Sequence, residues 1–190
     1  MRHPIETAVE TILAGLRAMQ GTQPLPGNGE VFLPGLWSSY DSDEGAISGS
    51  YRAGDGAMLR VSLAVERPGR WCTLALSLGD EGLPEGAVIS LVADLRSSRP
   101  VAVTLVLRSV LDGDNGDVAF EDQLEAGPQG GAQVALLTVA PGSVLCAQAQ
   151  RRLLILELPQ VDVEMEIRDM RLFVLLPEGR AGGVPATQEI

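Results

Sequence analysis

The side chains of this chain best suited to recognition are Trp71, Asp94 and Arg108, together with the aromatic residues Trp37 and Tyr40. An indole ring stacks on the apolar face of a pyranose while charged forks take its hydroxyls, so exposed tryptophan beside Arg and Asp is sugar-holding chemistry. Trp71 falls on the alternation of Thr73, Ala75 and Ser77, away from Cys72, Leu74, Leu76 and Leu78, and so points to a polar face. A structural role for Trp71 stands beside this one. Starting its strand after Pro68, it caps a rim or packs under the segment that carries Trp37, and this structural role is the first expectation.

Other chemistries lose support. The only histidine is His3, near the chain start, which excludes a Ser-His-Asp or Cys-His triad, a HExxH site and a histidine metal centre. No glycine-rich dinucleotide fingerprint or P-loop is present. Paired carboxylates for glycoside hydrolysis are available in Glu121, Asp122, Glu164, Glu166 and Asp169, although a solvated edge strand carries the same pattern and is the preferred explanation. The run Asp112-Gly113-Asp114-Asn115-Gly116-Asp117 offers oxygen ligands for calcium through Asp112, Asp114 and Asp117, without EF-hand spacing. Asn-Gly and Asp-Gly are also preferred hairpin turns, and a plain turn is the first expectation there. Asp41, Asp43 and Glu44 form a second acidic cluster. Cys72 and Cys146 lack metal-ligand spacing, and Cys72 reads as a small core residue.

The 190 residues suffice for one domain, and a net charge of -11 disfavours nucleic acid or an anionic membrane as a partner. All 14 basic residues are arginine, which we ascribe to base composition rather than chemistry. The first twenty residues place acids within an apolar pattern and lack a small-residue cleavage site, and no apolar run reaches membrane-spanning length. A soluble, cytoplasmic protein is therefore expected.

These candidates need elements to hold them. From Ala87 to Leu111 two apolar runs flank a short polar connection that ends at Pro100; Ile89, Leu91, Ala93 and Leu95 repeat at period two, as do Val103, Leu105 and Leu107. We expect a central β-hairpin with Leu95 opposite Val101 and Leu91 opposite Leu105. Leu105 should then be fully buried, with Asp94 and Arg108 on one outward face. Before it, Ile5, Ala8, Val9, Ile12, Leu13, Leu16 and Met19 follow the stripe of an amphipathic helix, with Pro4 in its first turn and Gly21 past its end. That helix is expected to pack on its own domain, with a dimer contact as the alternative.

Residues 21–44 are rich in Gly, Pro, Ser and Asp and read as an irregular arm. The arm holds Phe32, Trp37 and Tyr40, three of seven aromatic residues (three Phe, two Trp, two Tyr), which must cap a core or face a ligand. Strands follow from residue 45 to 176, punctuated by prolines at 68, 84, 100, 128, 141, 159 and 177. In Val161 to Leu175 the apolar phase switches from odd to even, placing a bulge near Arg168 to Met170. The domain plan is thus helix 1–20, arm 21–44, an all-β antiparallel sandwich 45–176 and a flexible tail 177–190.

The strand WCTLALSL, the segment LRSVLDGDNGDVAFED and the closing LPQVDVEMEIRDMRLF resemble jelly-roll carbohydrate-binding modules of the galactose-binding-like class over about Gly45 to Leu175. The resemblance implies a sandwich that binds a glycan without cleaving it, often with a structural calcium ion. A protein-interaction or assembly domain using the N-terminal helix, as a homo-oligomer, is the alternative.

Overall fold

Proline at the first helical position and apolar residues three and four apart produce the expected helix α1, Pro4–Ala18. His3 caps it: its Nδ1 accepts from the Ile5 amide at 3.3 Å. Ile5, Val9, Ile12, Leu13 and Leu16 are buried against the chain's own strands, so the apolar stripe is covered within the molecule rather than left for a dimer contact. The structure, a computed structural model, describes residues 2–177; the expected tail lies almost wholly outside the described residues. No helix among them is long and apolar enough to cross a membrane.

The period-two segments form thirteen strands. They are β1 (Gly21–Pro24), β2 (Asn28–Val31), β3 (Leu33–Tyr40), β4 (Ala46–Gly54), β5 (Ala57–Arg67), β6 (Cys72–Gly79), β7 (Val88–Ser97), β8 (Val101–Val110), β9 (Asn115–Ala119), β10 (Leu124–Ala126), β11 (Gly131–Thr138), β12 (Arg151–Glu157) and β13 (Val163–Leu175). One sheet has the order β1-β4-β5-β13-β7-β11, the other β10-β8-β12-β6-β3-β2, with β9 also on β8. Every pairing is antiparallel. The expected all-β sandwich with one N-terminal helix is the fold observed, and its core is one layer of side chains from both sheets, Leu105 among them at 1% exposure. The bulge also falls as expected, between Ile167 and Asp169.

Two expectations are corrected. First, β7 and β8 do not pair. Leu95 lies opposite Ile167 and Gly131 in one sheet, whereas Val101 lies opposite Ala126 in the other. The Ser97 and Ser98 amides donate to Gly127 and Glu164, so Ser98 to Pro100 crosses from sheet to sheet as an arch. The apolar sets of the two strands meet across the core instead of side by side. Second, the arm is not irregular, since 21–44 contains β1, β2 and β3. Its strand pattern was masked because Ser38 faces the core, fully buried, where it shares a 2.8 Å hydrogen bond with the phenol of buried Tyr51. A buried hydroxyl is tolerated only with such a partner.

The helix closes the sandwich at a specific gap. β5 pairs β13 only from Val163 to Ile167, leaving the same edge of β13 open beyond the bulge. There Glu6 accepts from the Val174 amide at 2.6 Å and Arg17 donates to the Met170 carbonyl at 2.9 Å. At Gly35, with φ +88°, a Cβ would stand 2.9 Å from Ile12 Cδ1, so glycine is what lets β3 pass this close to α1.

Candidate binding groove

Alternation along β3, β6, β12 and β8 sends one residue in two away from the core, and the sheet register aligns these outward residues in rows. The central row is Trp37, Ala75, Ile155 and Val106, an apolar strip across four strands. On one side lie Ser77, Leu153, Arg108 and Asp117; on the other lie Ser39, Thr73, Glu157 and Thr104. The result is a groove of about 780 Å³ with polar rows flanking an apolar floor, lined also by Asn28, Glu30, Trp71 and Arg151.

Both tryptophans of the chain are on this groove, each 40% exposed. Each has its indole N–H engaged, Trp37 to Asn28 Oδ1 at 2.8 Å and Trp71 to Ser39 Oγ at 3.3 Å. These bonds orient the rings and leave their faces for contact. The Arg70 guanidinium stands 5.1 Å from the Trp71 ring centroid and covers one face of it. Trp71 precedes β6 and holds the Asp41 amide through its carbonyl, so it terminates the groove as well as the strand pairing. Ala75, the register partner of Trp37, is four residues further on, so the two tryptophan backbone positions are offset by about 13 Å along the strand. Both indole N–H groups reach back to the row between them, Trp71 to Ser39 and Trp37 to Asn28, the register partner of Ser39.

Arg108 lies at the other end of the groove from Trp71. Its Nε and Nη2 form a fork with the Asp117 carboxylate at 2.8 and 2.7 Å. That hydrogen bonding raises the Arg108 pKa and lowers that of Asp117, so the pair is ionised throughout the ordinary pH range. Asp117 is thereby held as Arg108's partner. Asp114 Oδ1 accepts from the Asn115 amide within the turn, and among the described residues no three His, Cys, Asp or Glu side chains gather as a metal centre. The segment 112–117 is built as the plain turn and the start of β9.

Two of the five candidate ligand residues fall elsewhere. Asp94 is on the outer face of the opposite sheet, 3.8 Å from Arg168, because the arch puts β7 and β8 in different layers. Tyr40 shares the inward phase of Leu36 and Ser38 and packs against the core at the sandwich end. Trp37, Trp71 and Arg108 are brought together on one face. The carboxylates weighed for hydrolysis are not in the groove: Glu166 pairs with Arg60 at 2.9 Å, Asp169 with Arg17 at 2.7 Å, and Glu164 accepts from Ser62 at 3.2 Å, all on the other sheet. Asn28, Glu30, Arg151 and Glu157 were missed. Glu157 and Arg151 follow the outward phase of the LLILEL strand and could have been found there; Asn28 and Glu30 lay in the segment taken as irregular.

Behind the groove sits a buried cation. Arg152, fully buried at the β12 bulge, donates its Nε to the Glu81 carbonyl at 2.6 Å and its remaining nitrogens to Ser109 Oγ and the Ala147 carbonyl. Burial lowers its pKa. These bonds tie the loops before β7 and after β11 to the end of the groove sheet.

The sequence matches no family model. No curated protein matches it either. Solved structures do match in fold. A CBM4 structure aligns with a TM-score of 0.58 at 12% identity, over 80% of this chain and 94% of that one. The N-terminal cellulose-binding domain of Cellulomonas fimi β-1,4-glucanase C aligns with a TM-score of 0.50 at 15% identity, over 82% and 99%. The CBM22-1–CBM22-2 tandem domain of Paenibacillus barcinonensis Xyn10C gives 0.51 at 12% identity, over 88% of this chain and 49% of that one. The resemblance to jelly-roll carbohydrate-binding modules is thus borne out as a likeness of fold.

Proposed function

We propose that the protein is a non-catalytic glycan-binding module whose ligand lies in the groove of the β3-β6-β12-β8 sheet. The observation that carries this reading is the pair of tryptophans on one groove, each with its N–H held and its ring exposed beside an apolar strip. Two aromatic platforms on an open groove of about 780 Å³ that crosses four strands suit a polysaccharide chain over a monosaccharide. The groove carries Arg108 and Arg151 against Glu30, Asp117 and Glu157. Two cations among three anions, on a chain of net charge -11, favour a neutral glycan over a uronate or sulfated one. The binding of cellulose by one structural neighbour is consistent with this class.

The test is affinity electrophoresis and calorimetry with soluble β-glucan, xylan, mannan and alginate. Binding to one or more neutral polymers is expected, with at least a tenfold loss, about 1.4 kcal/mol, in Trp37→Ala and in Trp71→Ala, since each removes an aromatic platform. Arg108→Ala should weaken binding with little change in stability, the residue being a solvent-accessible groove lining. Binding that survives loss of both tryptophans, or binding to alginate alone, overturns the proposal.

A further inference from the structure

The face opposite the groove carries a second feature. Of the eight large hydrophobic side chains exposed among the described residues, Val134, Leu136, Phe173, Leu175 and Leu176 belong to or directly follow β11 and β13, the two strands flanking β7. The register joins them into one surface. Phe173, Ser90 and Leu136 form a row; Leu175 and Val88 extend it on one side, Val92 and Val134 on the other. Scattered exposed hydrophobics are ordinary, whereas a contiguous patch across three strands marks a contact surface.

The patch is electrostatically polarised along the strands. From the Val92 row outward lies an arginine-rich end, with Arg171, Arg168, Arg96 and Arg60 against Asp94, Asp169 and Glu166. Beyond Leu136 lies an acidic end, where Glu121 accepts from Thr138 Oγ1 at 2.9 Å and Glu85 accepts from the Gly142 amide at 2.9 Å. We infer that this face pairs with a second copy of the chain, sheet on sheet, about a two-fold axis that lies in the interface and crosses the strands. That operation reverses strand direction, so the basic end of each copy meets the acidic end of its partner while the apolar rows stack at the centre. An axis parallel to the strands would set like charges together. The three strands over eight residues cover roughly 400 Å² in projection, about half of what a standard interface takes from each partner. The dimer is accordingly weak and concentration-dependent. Each groove, on the far sheet, stays open and faces outward, so the pair presents two binding faces.

Sedimentation of the full chain at about 0.15 M salt, where repulsion between acidic copies is screened to roughly 8 Å, tests this. Across roughly 10 µM to 1 mM protein, a span chosen for a weak complex, the average mass should climb from 20.0 kDa toward twice that value. Phe173→Asp and, independently, Leu136→Lys should hold it at the monomer with an unchanged melting temperature. Arg171→Glu and Glu121→Arg should each shift the midpoint at least threefold to higher concentration, since each weakens the attraction between opposite ends. A wild-type mass that stays at 20.0 kDa throughout overturns the inference and leaves the face to residues 178–190 or to a different protein. Dimerisation unaffected by both apolar variants overturns it too.

Discussion

Asp41 shows how one carboxylate organises a loop end. It is buried, accepts the Arg70 side chain at 2.9 Å, and also accepts the amides of Asp43, Glu44 and Arg70. The Arg70 hydrogen bond is the main reason its pKa falls from 3.8 to about 2, against the opposing effect of burial. The acidic cluster Asp41, Asp43, Glu44 thus resolves into one anchored aspartate that positions Arg70 over Trp71. Because the folded-state pKa lies below the unfolded one, this stabilisation is complete above a pH of about 4 and is lost as pH falls toward 2. Urea midpoints measured from pH 7 to pH 2 should be steady and then fall in that lower window, with a shallower fall in Asp41→Asn. An equally steep fall in the variant would show that other carboxylates carry the acid sensitivity. Cys72 tells a different residue-level story, since burial pushes its thiol up to about 11 and leaves it unreactive at neutral pH.

Among the elements, α1 is the one whose role the sequence left open. Its stripe could have served a partner, yet five buried side chains and two hydrogen bonds to the open edge of β13 make it part of the sandwich. Covering an edge is one way a sheet avoids pairing with other chains. Burial of five aliphatic residues at about 1.5–3 kcal/mol each is comparable to the whole margin of about 5–15 kcal/mol by which a domain is stable. Deletion of residues 1–20 should therefore give aggregated protein or lower the melting temperature by more than about 15 °C. A deletion that stays soluble with its melting temperature intact would return the helix to the role of an assembly arm.

The molecule as a whole is two sheets bound by one apolar layer, and β7 and β8 contribute to it from opposite sides. Leu105 lies in that layer, so its truncation is felt by both sheets at once. Leu105→Ala should cost about 2–5 kcal/mol through lost transfer energy and a cavity, read as a shifted chemical-denaturation midpoint with the slope unchanged. A change under about 0.5 kcal/mol would mean that the layer can collapse around the gap. The same layering decides which functional residues can meet: everything outward on β3, β6, β12 and β8 shares the groove, and everything outward on β7, β11 and β13 shares the apolar face.

What the sequence determined by itself was local. Period-two runs, proline placement and the helical stripe specified α1, most strands, the burial of Leu105 and the bulge beside Arg168, because backbone geometry ties residue spacing to face. Trp71 and Arg108 were legible as outward for the same reason. Which strands are neighbours was decided only by the tertiary structure. An apolar alternation satisfies a hairpin partner and a facing sheet equally well, so the short turn to Pro100 could not tell a hairpin from an arch. That ambiguity alone moved Asp94 away from Arg108. Ser38 went unread for a related reason: a core position that accepts a hydroxyl exists only once Tyr51, on the other sheet, arrives to bond it.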